Sequence, residues 1–526
     1  NPGQKLHVEG GSIRIRGTGS NETNGQLDFG DDFRILKYTN ENTMTLQSPK
    51  SVVINIDNNN NGTDAYFQIK KDTTNPESAG TELFKVQEDG NVSIPEGEIA
   101  TAQDYPNFRP TLDLNFAAEK KLDPIITYQR TGIASFVNEF GKVVLVGDNA
   151  PRFDHDTVTR ESKGLLIEES RTNIIYPSSD WSSANYTHEN NNTSQESNTT
   201  DTEDPAGTFH ATKITPIQGN TSLRSIYWGT NITFTNTVKF TMSAFAKSTT
   251  GLHVQLRPRG QGSGKAWATF NLTTGVVGNS GGSTLVSTKI EKYPNDWYRC
   301  SLTFTGGGHT AGGFGALIMD DGNDGEAATH TGDASKSIFF WGAQFETGSF
   351  ATSYIPTSSA AVTRGVDIAL IDGEELSEFY NPIESTILVD YTHDFVTSSN
   401  LGGTSRLYRF RAVGGNDTRI DYVSNSGNEP YIAKDAAVVA NINNGQSTVF
   451  DGGVNRTAVR VKENSFASSF NGSAAVEDTS GAWNPTNAIT EVALGSQSSS
   501  GGNPLNGHIK RFMYYRVGLP NSQLVT

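Results

Sequence analysis

GLLIEESRTN, residues 164–173, is one of the few stretches of the chain where three aliphatic residues run together and are followed at once by two carboxylates and a guanidinium. Its reading turns on whether Glu168 and Glu169 do chemistry or belong to the architecture. Glycoside hydrolysis needs two carboxylates facing each other across a bound sugar at a set separation. Adjacent residues on a strand point to opposite faces, so Glu168 and Glu169 cannot be that pair.

Around this stretch the chain runs to 526 residues, too many for one hydrophobic core, which predicts about two to four domains. Only 34% of the residues are apolar, while 54 glycines accompany abundant Asn, Ser and Thr. That composition favours many short strands joined by polar turns, hence an all-β chain. A net charge of -16, with no long Lys/Arg run, argues against a nucleic-acid partner. No stretch approaches the ~18 consecutive apolar residues of a membrane span, and NPGQKLHVEGG at the start lacks the apolar core of a signal peptide, so no membrane insertion is expected. The single cysteine, Cys300, excludes an intrachain disulfide and reads as a small buried apolar residue.

Four regions follow along the chain. Residues 1–106 alternate with period 2 between turn clusters, in SIRIRG, QLDFGDDFRILKYT, TMTLQS, SVVINI and ELFKVQEDGNVSIP, which predicts short strands and hairpins. So little apolar surface is marginal alone, so this region is expected to be an oligomeric shaft, most simply a homotrimer. Residues 107–177 read as a β connector packing on the sandwich that follows. Residues 178–373 carry strand candidates at regular spacing, among them FTMSAFAKS, WYRCSLTFTG and SIFFWGAQFE, as a jelly roll would. Residues 374–526 repeat the pattern as a second sandwich. GEELSEFY and PNSQLVT alone read as short helical turns.

The linked motifs NAPRFDHDTVTRESKGLLIEESRTNIIYPSSDW, FNLTTGVVG, WYRCSLTFT and FFWGAQFETGSFATSYIPTSSAAVTR resemble the structural proteins of tailed bacteriophages, called tail fibre, tail or head-fibre proteins. The resemblance covers residues 112–366 and implies a carbohydrate-binding-module-like jelly roll. GHIKRFMYYRVGLPNSQLVT resembles the closing strand of concanavalin A-like, or laminin-G-like, sandwiches, and LFKVQEDGNVSI resembles the strand-turn repeats of phage fibre shafts. The fold so implied is an all-β chain with an N-terminal β-rich fibre shaft followed by two β-sandwiches. Within it GLLIEE is a strand and corner leading into the jelly roll, with Leu165, Leu166 and Ile167 buried and Glu168, Glu169 and Arg171 paired locally or to backbone.

No catalytic motif is recognised among the 57 acidic residues, and HExxH and the Walker loop are absent. His155, between Asp154 and Asp156, could ligate a metal, or the three could cap a turn. In MDDGNDGE, Asp320, Asp321, Asn323 and Asp324 set hard oxygen ligands beside turn glycines, which calcium favours, although no EF-hand Glu follows. Sugar recognition needs flat apolar faces and planar polar groups. Tyr227, Trp228, His253, Arg257 and Arg259 have that chemistry in the jelly roll, and Tyr422, Tyr431 and Trp483 fall near loops of the last domain, while Trp267, Trp297 and Trp341 read as core. These readings lead to a non-enzymatic virion fibre, extracellular after release, attached to other virion proteins through its N-terminal region and binding a host-surface glycan. A purely structural fibre and a glycan-cleaving tailspike are the alternatives.

Overall fold

A computed structural model describes residues 24–28, 34–38, 43–47, 66–71, 81–87, 92–93, 109–260, 265–393, 405–412, 419–424, 429–434, 437–442, 453–483 and 488–525. The chain divides into two compact units, Asn1–Gln103 and Asp104–Thr526. In the first, the alternating runs form two antiparallel three-stranded sheets. One joins Asn24–Asp28, Arg34–Tyr38 and Thr43–Gln47, and the other joins Tyr66–Lys71, Thr81–Gln87 and Val92–Ser93. The runs SIRIRG and SVVINI lie outside the described residues.

The second unit holds two sandwiches. In the jelly roll, one six-stranded antiparallel sheet is ordered Tyr186–His188, Ser225–Phe234, His309–Met319, His253–Leu256, Trp267–Asn271 and Val276–Gly281. Its partner is ordered Thr193–Glu196, Thr212–Pro216, Ile338–Thr347, Lys239–Lys247, Tyr298–Thr305 and Leu285–Lys292. Alternate side chains turn inward, as the pleat requires, so Met242, Ala244 and Ala246 from one strand meet Leu302 and Phe304 from its neighbour. Trp181 stacks on Phe340 with ring centroids 4.4 Å apart. Cys300 is fully buried here, and burial pushes its thiol well above the ordinary range.

The other sandwich is assembled from both sides of the jelly roll in sequence. Its eight-stranded sheet runs Phe153–His155, Ser162–Ile167, Gly507–Tyr515, Glu384–His393, Val454–Lys462, Phe466–Phe470 and Val476–Asp478, with Leu112–Leu114 also pairing on Gly507–Tyr515. Facing it are Ala437–Asn441, Glu429–Lys434, Arg419–Ser424, Ser405–Arg411, Glu491–Leu494, Ile368–Asp372 and Thr127–Gln129. Ile371, Ile387, Val389, Phe410, Val459 and Phe512 fill the space between the two sheets.

Residues 107–177 are therefore not a connector packed on the jelly roll alone. Their hairpin, Ala134–Val137 with Val143–Val146, packs that way, through Val137 and Val143 against Phe245 and Trp341, and so does the segment 173–176, where Ile175 joins the jelly-roll core. Leu112–Leu114, Thr127–Gln129, Phe153–His155 and Ser162–Ile167 instead enter the sheets of the C-terminal sandwich. The reason lies in the aliphatic run, because a strand apolar at successive positions needs cover on both faces. Leu165 and Ile167 enter the C-terminal core, while Leu166, buried on the opposite face, lines a cleft toward the jelly roll. The three are buried as expected, but at a junction between sandwiches. Pairing of Leu165 with Ile509 and of Ile167 with Gly507 fixes the register. Gly164 allows the close approach: its φ is +91°, and a Cβ there would lie 2.2 Å from the Ile509 carbonyl oxygen.

The two expected helical turns form at Gly373–Phe379 and Asn521–Leu524. A third, Phe116–Glu119, is capped by Asn115, whose Oδ1 accepts from the Ala118 amide at 3.1 Å. Among the described residues no helix is long and apolar enough to cross a membrane.

Candidate ligand-binding cleft

The chain enters the jelly roll through Arg171–Asn173 and leaves it through Val362–Arg364, and these two strands pair antiparallel as a stem. A buried ionic hub sits against this stem. Glu168, 1% exposed in its side chain, accepts hydrogen bonds from Arg152 Nη1 at 2.7 Å, from Arg364 Nη1, and from the Ser353 hydroxyl and amide at 2.7 and 2.8 Å. Asp367 accepts from Arg152, from the Tyr128 hydroxyl and from the Glu168 amide at 2.8 Å. Burial alone would raise the Glu168 carboxyl, but Arg364 and Arg152 hold it well below the ordinary range. Burial likewise opposes the charge on Arg152, and Asp367 and Glu168 overcome it, raising its pKa.

Glu169, on the opposite side, is 33% exposed in its side chain and pairs with Arg171. The local pairing expected for this stretch thus holds for Glu169 and Arg171. Glu168 instead reaches guanidiniums 16 and 196 residues away in sequence.

Beside the hub, between the two sandwiches, lies a cleft of about 530 Å³. Its acids are Asp154, Asp156, Glu168 and Glu291, and its bases are Lys163, Lys289, Lys292 and Arg299. Tyr293, Phe350 and Tyr354 add ring surface. Asp154 accepts from the Val137 amide at 2.6 Å and meets His508 Nε2 at 3.0 Å. Asp156 accepts from the amides of Val158 and Thr159 at 2.8 and 2.7 Å. Burial opposes its charge, yet these N–H groups prevail and its carboxyl titrates low. At Glu291, too, burial is outweighed by Lys289, 2.9 Å away, and by Arg299, so the carboxyl lies below its ordinary range. The RFDHD turn therefore follows the capping reading. His155 Nδ1 bonds the Val137 carbonyl at 3.1 Å, and among the described residues Nε2 has no partner.

The expected glycan residues divide. Tyr227 and Trp228 are neighbours on a strand and point opposite ways. Trp228 turns into the jelly-roll core, where its Nε1 donates to the Tyr176 carbonyl at 2.7 Å. Tyr227 lies on the other face beneath Arg259, whose guanidinium carbon is 4.7 Å from the ring centroid. Arg257 pairs with Glu326 at 2.9 Å, and its amide donates to the Gly315 carbonyl at 2.9 Å. Tyr227, Arg257 and Arg259 thus gather around Gly313 and Gly315, with the Arg257 guanidinium already paired to Glu326. His253 is buried, and among the described residues neither ring nitrogen has a partner.

Tyr422 and Trp483, expected near loops, are 0% and 3% exposed and belong to the C-terminal core, where no sugar ring can reach them. Of Tyr431 only the backbone is described, paired with Asp421 and Asn441. Trp297 and Trp341 are buried as expected, while Trp267 is half-buried.

The acidic loop braces itself. Asp320 pairs with Arg224 at 3.1 Å, Asp324 lies 2.7 Å from His330 Nε2, Asp321 donates its amide to Asp324 at 3.0 Å, and the Asn323 amide donates to Asp321 at 3.0 Å. Among the described residues no group of three or more His, Cys, Asp or Glu is placed to hold a metal ion.

Sequence reading missed Glu291, Tyr293 and Arg299, the last inside WYRCSLTFTG, which reads as a sandwich strand. One signal was present: an Arg amid the otherwise uncharged, buried run of Tyr298–Thr305 demands an explanation.

No protein-family model matches the chain, and no curated protein matches it. Among solved structures it is similar to the CBM40 of the Ruminococcus gnavus IT-sialidase, at 16% identity and a TM-score of 0.23 over 28% of this chain and 82% of that one. It is also similar to Trypanosoma rangeli sialidase, at 13% identity and a TM-score of 0.25, over 60% of each chain, so it spans three fifths of that enzyme. Mouse laminin α1 domains LG4-5 match at 10% identity and a TM-score of 0.20, over 59% of this chain and 90% of that one. Such scores do not define a shared fold. The class is defined by the strands themselves: an all-β protein in which a jelly-roll sandwich is inserted into a second sandwich.

Proposed function

We propose that the chain is a bacteriophage virion fibre protein that recognises a host-surface glycan without cleaving it. The resemblance carried by GLLIEESRTN and its linked motifs supports the fibre reading. In this reading the N-terminal strands trimerise and attach to other virion proteins, and the protein stands on the particle, outside the cell after release. The observation that carries glycan recognition is the cleft between the sandwiches, where ring faces lie among hydrogen-bonding groups of both kinds. Binding without cleavage is supported by the state of three of its four acids. A glycosidase acid must keep its proton near neutral pH, whereas Glu168, Asp156 and Glu291 all titrate below their ordinary range.

Incubating the whole chain with host cells tests this reading. The expected outcome is saturable adsorption with no sugar released. Release of saccharide would select a glycan-cleaving spike. Failure to adsorb, with tight attachment to another virion protein, would select a purely structural fibre.

A further inference from the structure

The jelly-roll sheet that lies across the core from the cleft has an outer face of its own. Ile226, Trp228, Leu256, Ala268, Phe314 and Ala316 point into the core, so Tyr227, Arg257 and Trp267 point outward, with Gly315 between the first two. Register sets them in one row. Tyr227 pairs with Gly315, the Arg257 amide donates to the Gly315 carbonyl at 2.9 Å, and Arg257 and Trp267 flank the Leu256–Ala268 pair. Trp267 in turn pairs with Gly281. Farther along this face the chain closes over it. Gln255 Nε2 donates to the Gly325 carbonyl at 2.9 Å, its Oε1 accepts from the Ala327 amide at 2.8 Å, and His253, Leu317 and Met319 are buried. The row itself stays open, with Arg257, Arg259, Lys265 and Trp267 each half-buried.

Two observations say what such a row takes. The first is charge. Arg259 lies over the Tyr227 ring, and among the described residues no carboxylate forms an ion pair with it or with Lys265. Arg257 takes Glu326 at 2.9 Å. Burial, and then Arg257, lower the pKa of Lys265 while Glu326 raises it, so Lys265 belongs to the same group. Three cations thus gather about one carboxylate in a chain of net charge -16, and their mutual repulsion is relieved by an anion. A guanidinium stacked on a ring keeps its N–H edge free to donate two parallel hydrogen bonds to a carboxylate or phosphate. The second observation is surface. Trp267 lies face-down over Gly281, where a Cβ would sit 3.1 to 3.2 Å from three indole atoms, so its other face is turned outward. Such a face receives the C–H side of a sugar ring. Tyr227 and Trp267 stand three strand spacings apart, about 14 Å, which leaves room for a short saccharide segment.

We infer that this outer face of the jelly roll is a saccharide site separate from the cleft and that it takes an acidic sugar residue. Arg259 and Lys265 hold the anionic group, and Trp267 stacks on a neighbouring ring. The inference rests on the glycan-recognition reading above and adds to it the class of sugar and a second place of contact.

Calorimetric titration of the full chain tests it, using oligosaccharides of one backbone in neutral, carboxylate-bearing and phosphate-bearing forms, together with oligoglutamate. Arg259→Gln and Lys265→Gln remove charge from half-buried side chains that hold no carboxylate, so the melting temperature is expected to stay unchanged. The expected result is binding of an acidic saccharide that weakens ~10-fold or more in Arg259→Gln and further in the double variant. Undiminished binding by the double variant would overturn this face as the site and leave glycan recognition standing. Equal binding of the neutral form would overturn the anionic class, and equal binding of oligoglutamate would overturn the saccharide. Binding to no member would overturn the inference. Adsorption of the double variant to host cells would then show that the broader reading survives, whereas failure of the unaltered chain to adsorb would remove both.

Discussion

Glu168 sets one carboxylate against two guanidiniums, Arg152 and Arg364, with almost no access to water. A buried pair of this kind is weak evidence of net stabilisation, but removing one partner strands the other charges. Glu168→Gln is therefore expected to lower stability at neutral pH by about 3–5 kcal/mol, measured by urea unfolding. The pH dependence has a definite sign. The unfolded carboxyl ionises near ~4.3 and the folded one well below it, so the stabilisation is complete above that value and is lost as pH falls toward the folded value. Wild-type stability should fall below about pH 4 more steeply than that of Glu168→Gln. Equal stability of the two proteins at neutral pH would remove the architectural role of this residue.

At the scale of the element, the Ser162–Ile167 strand places Leu165 and Leu166 in different surroundings although both are buried. Leu165 belongs to the C-terminal core, packed on every side, while Leu166 has the open cleft beside it. A truncated side chain costs its transfer energy plus the cavity it leaves, and a site already next to open space gains less new cavity. Leu165→Ala is expected to cost about 4–5 kcal/mol and Leu166→Ala about 2–3 kcal/mol, read from denaturation midpoints. The reverse order would mean that the strand faces the other way. Which of the two faces the sandwich core could not be read from GLLIEE, because alternation tells which residues share a face and not what covers it.

For the whole molecule, the decisive feature is the insertion of one sandwich into another. Residues 374–526, expected to form a sandwich alone, lack Leu112–Leu114, Thr127–Gln129, Phe153–His155, Ser162–Ile167 and Ile368–Asp372, which complete its two sheets. The jelly roll has its own two-sheet core, and its entering and leaving strands lie side by side. A fragment of residues 171–364 is therefore expected to melt cooperatively, whereas residues 374–526 alone should show no cooperative transition by near-ultraviolet circular dichroism. A cooperative transition in residues 374–526 would restore the sequential arrangement of domains.

Strand content, the burial of Leu165, Leu166, Ile167 and Cys300, and the turns at Gly373–Phe379 and Asn521–Leu524 were all legible in the sequence, because period and composition act over a few residues. Tertiary structure alone decided that Leu165 pairs with Ile509, that Glu168 meets Arg364, that Tyr422 and Trp483 are core, and that His155 and Arg299 line one cleft. The physical reason is the same for each. A β-strand specifies the direction of its side chains, but its partner is selected by non-local pairing across hundreds of residues, and a site built where two sandwiches meet exists only once that pairing is made.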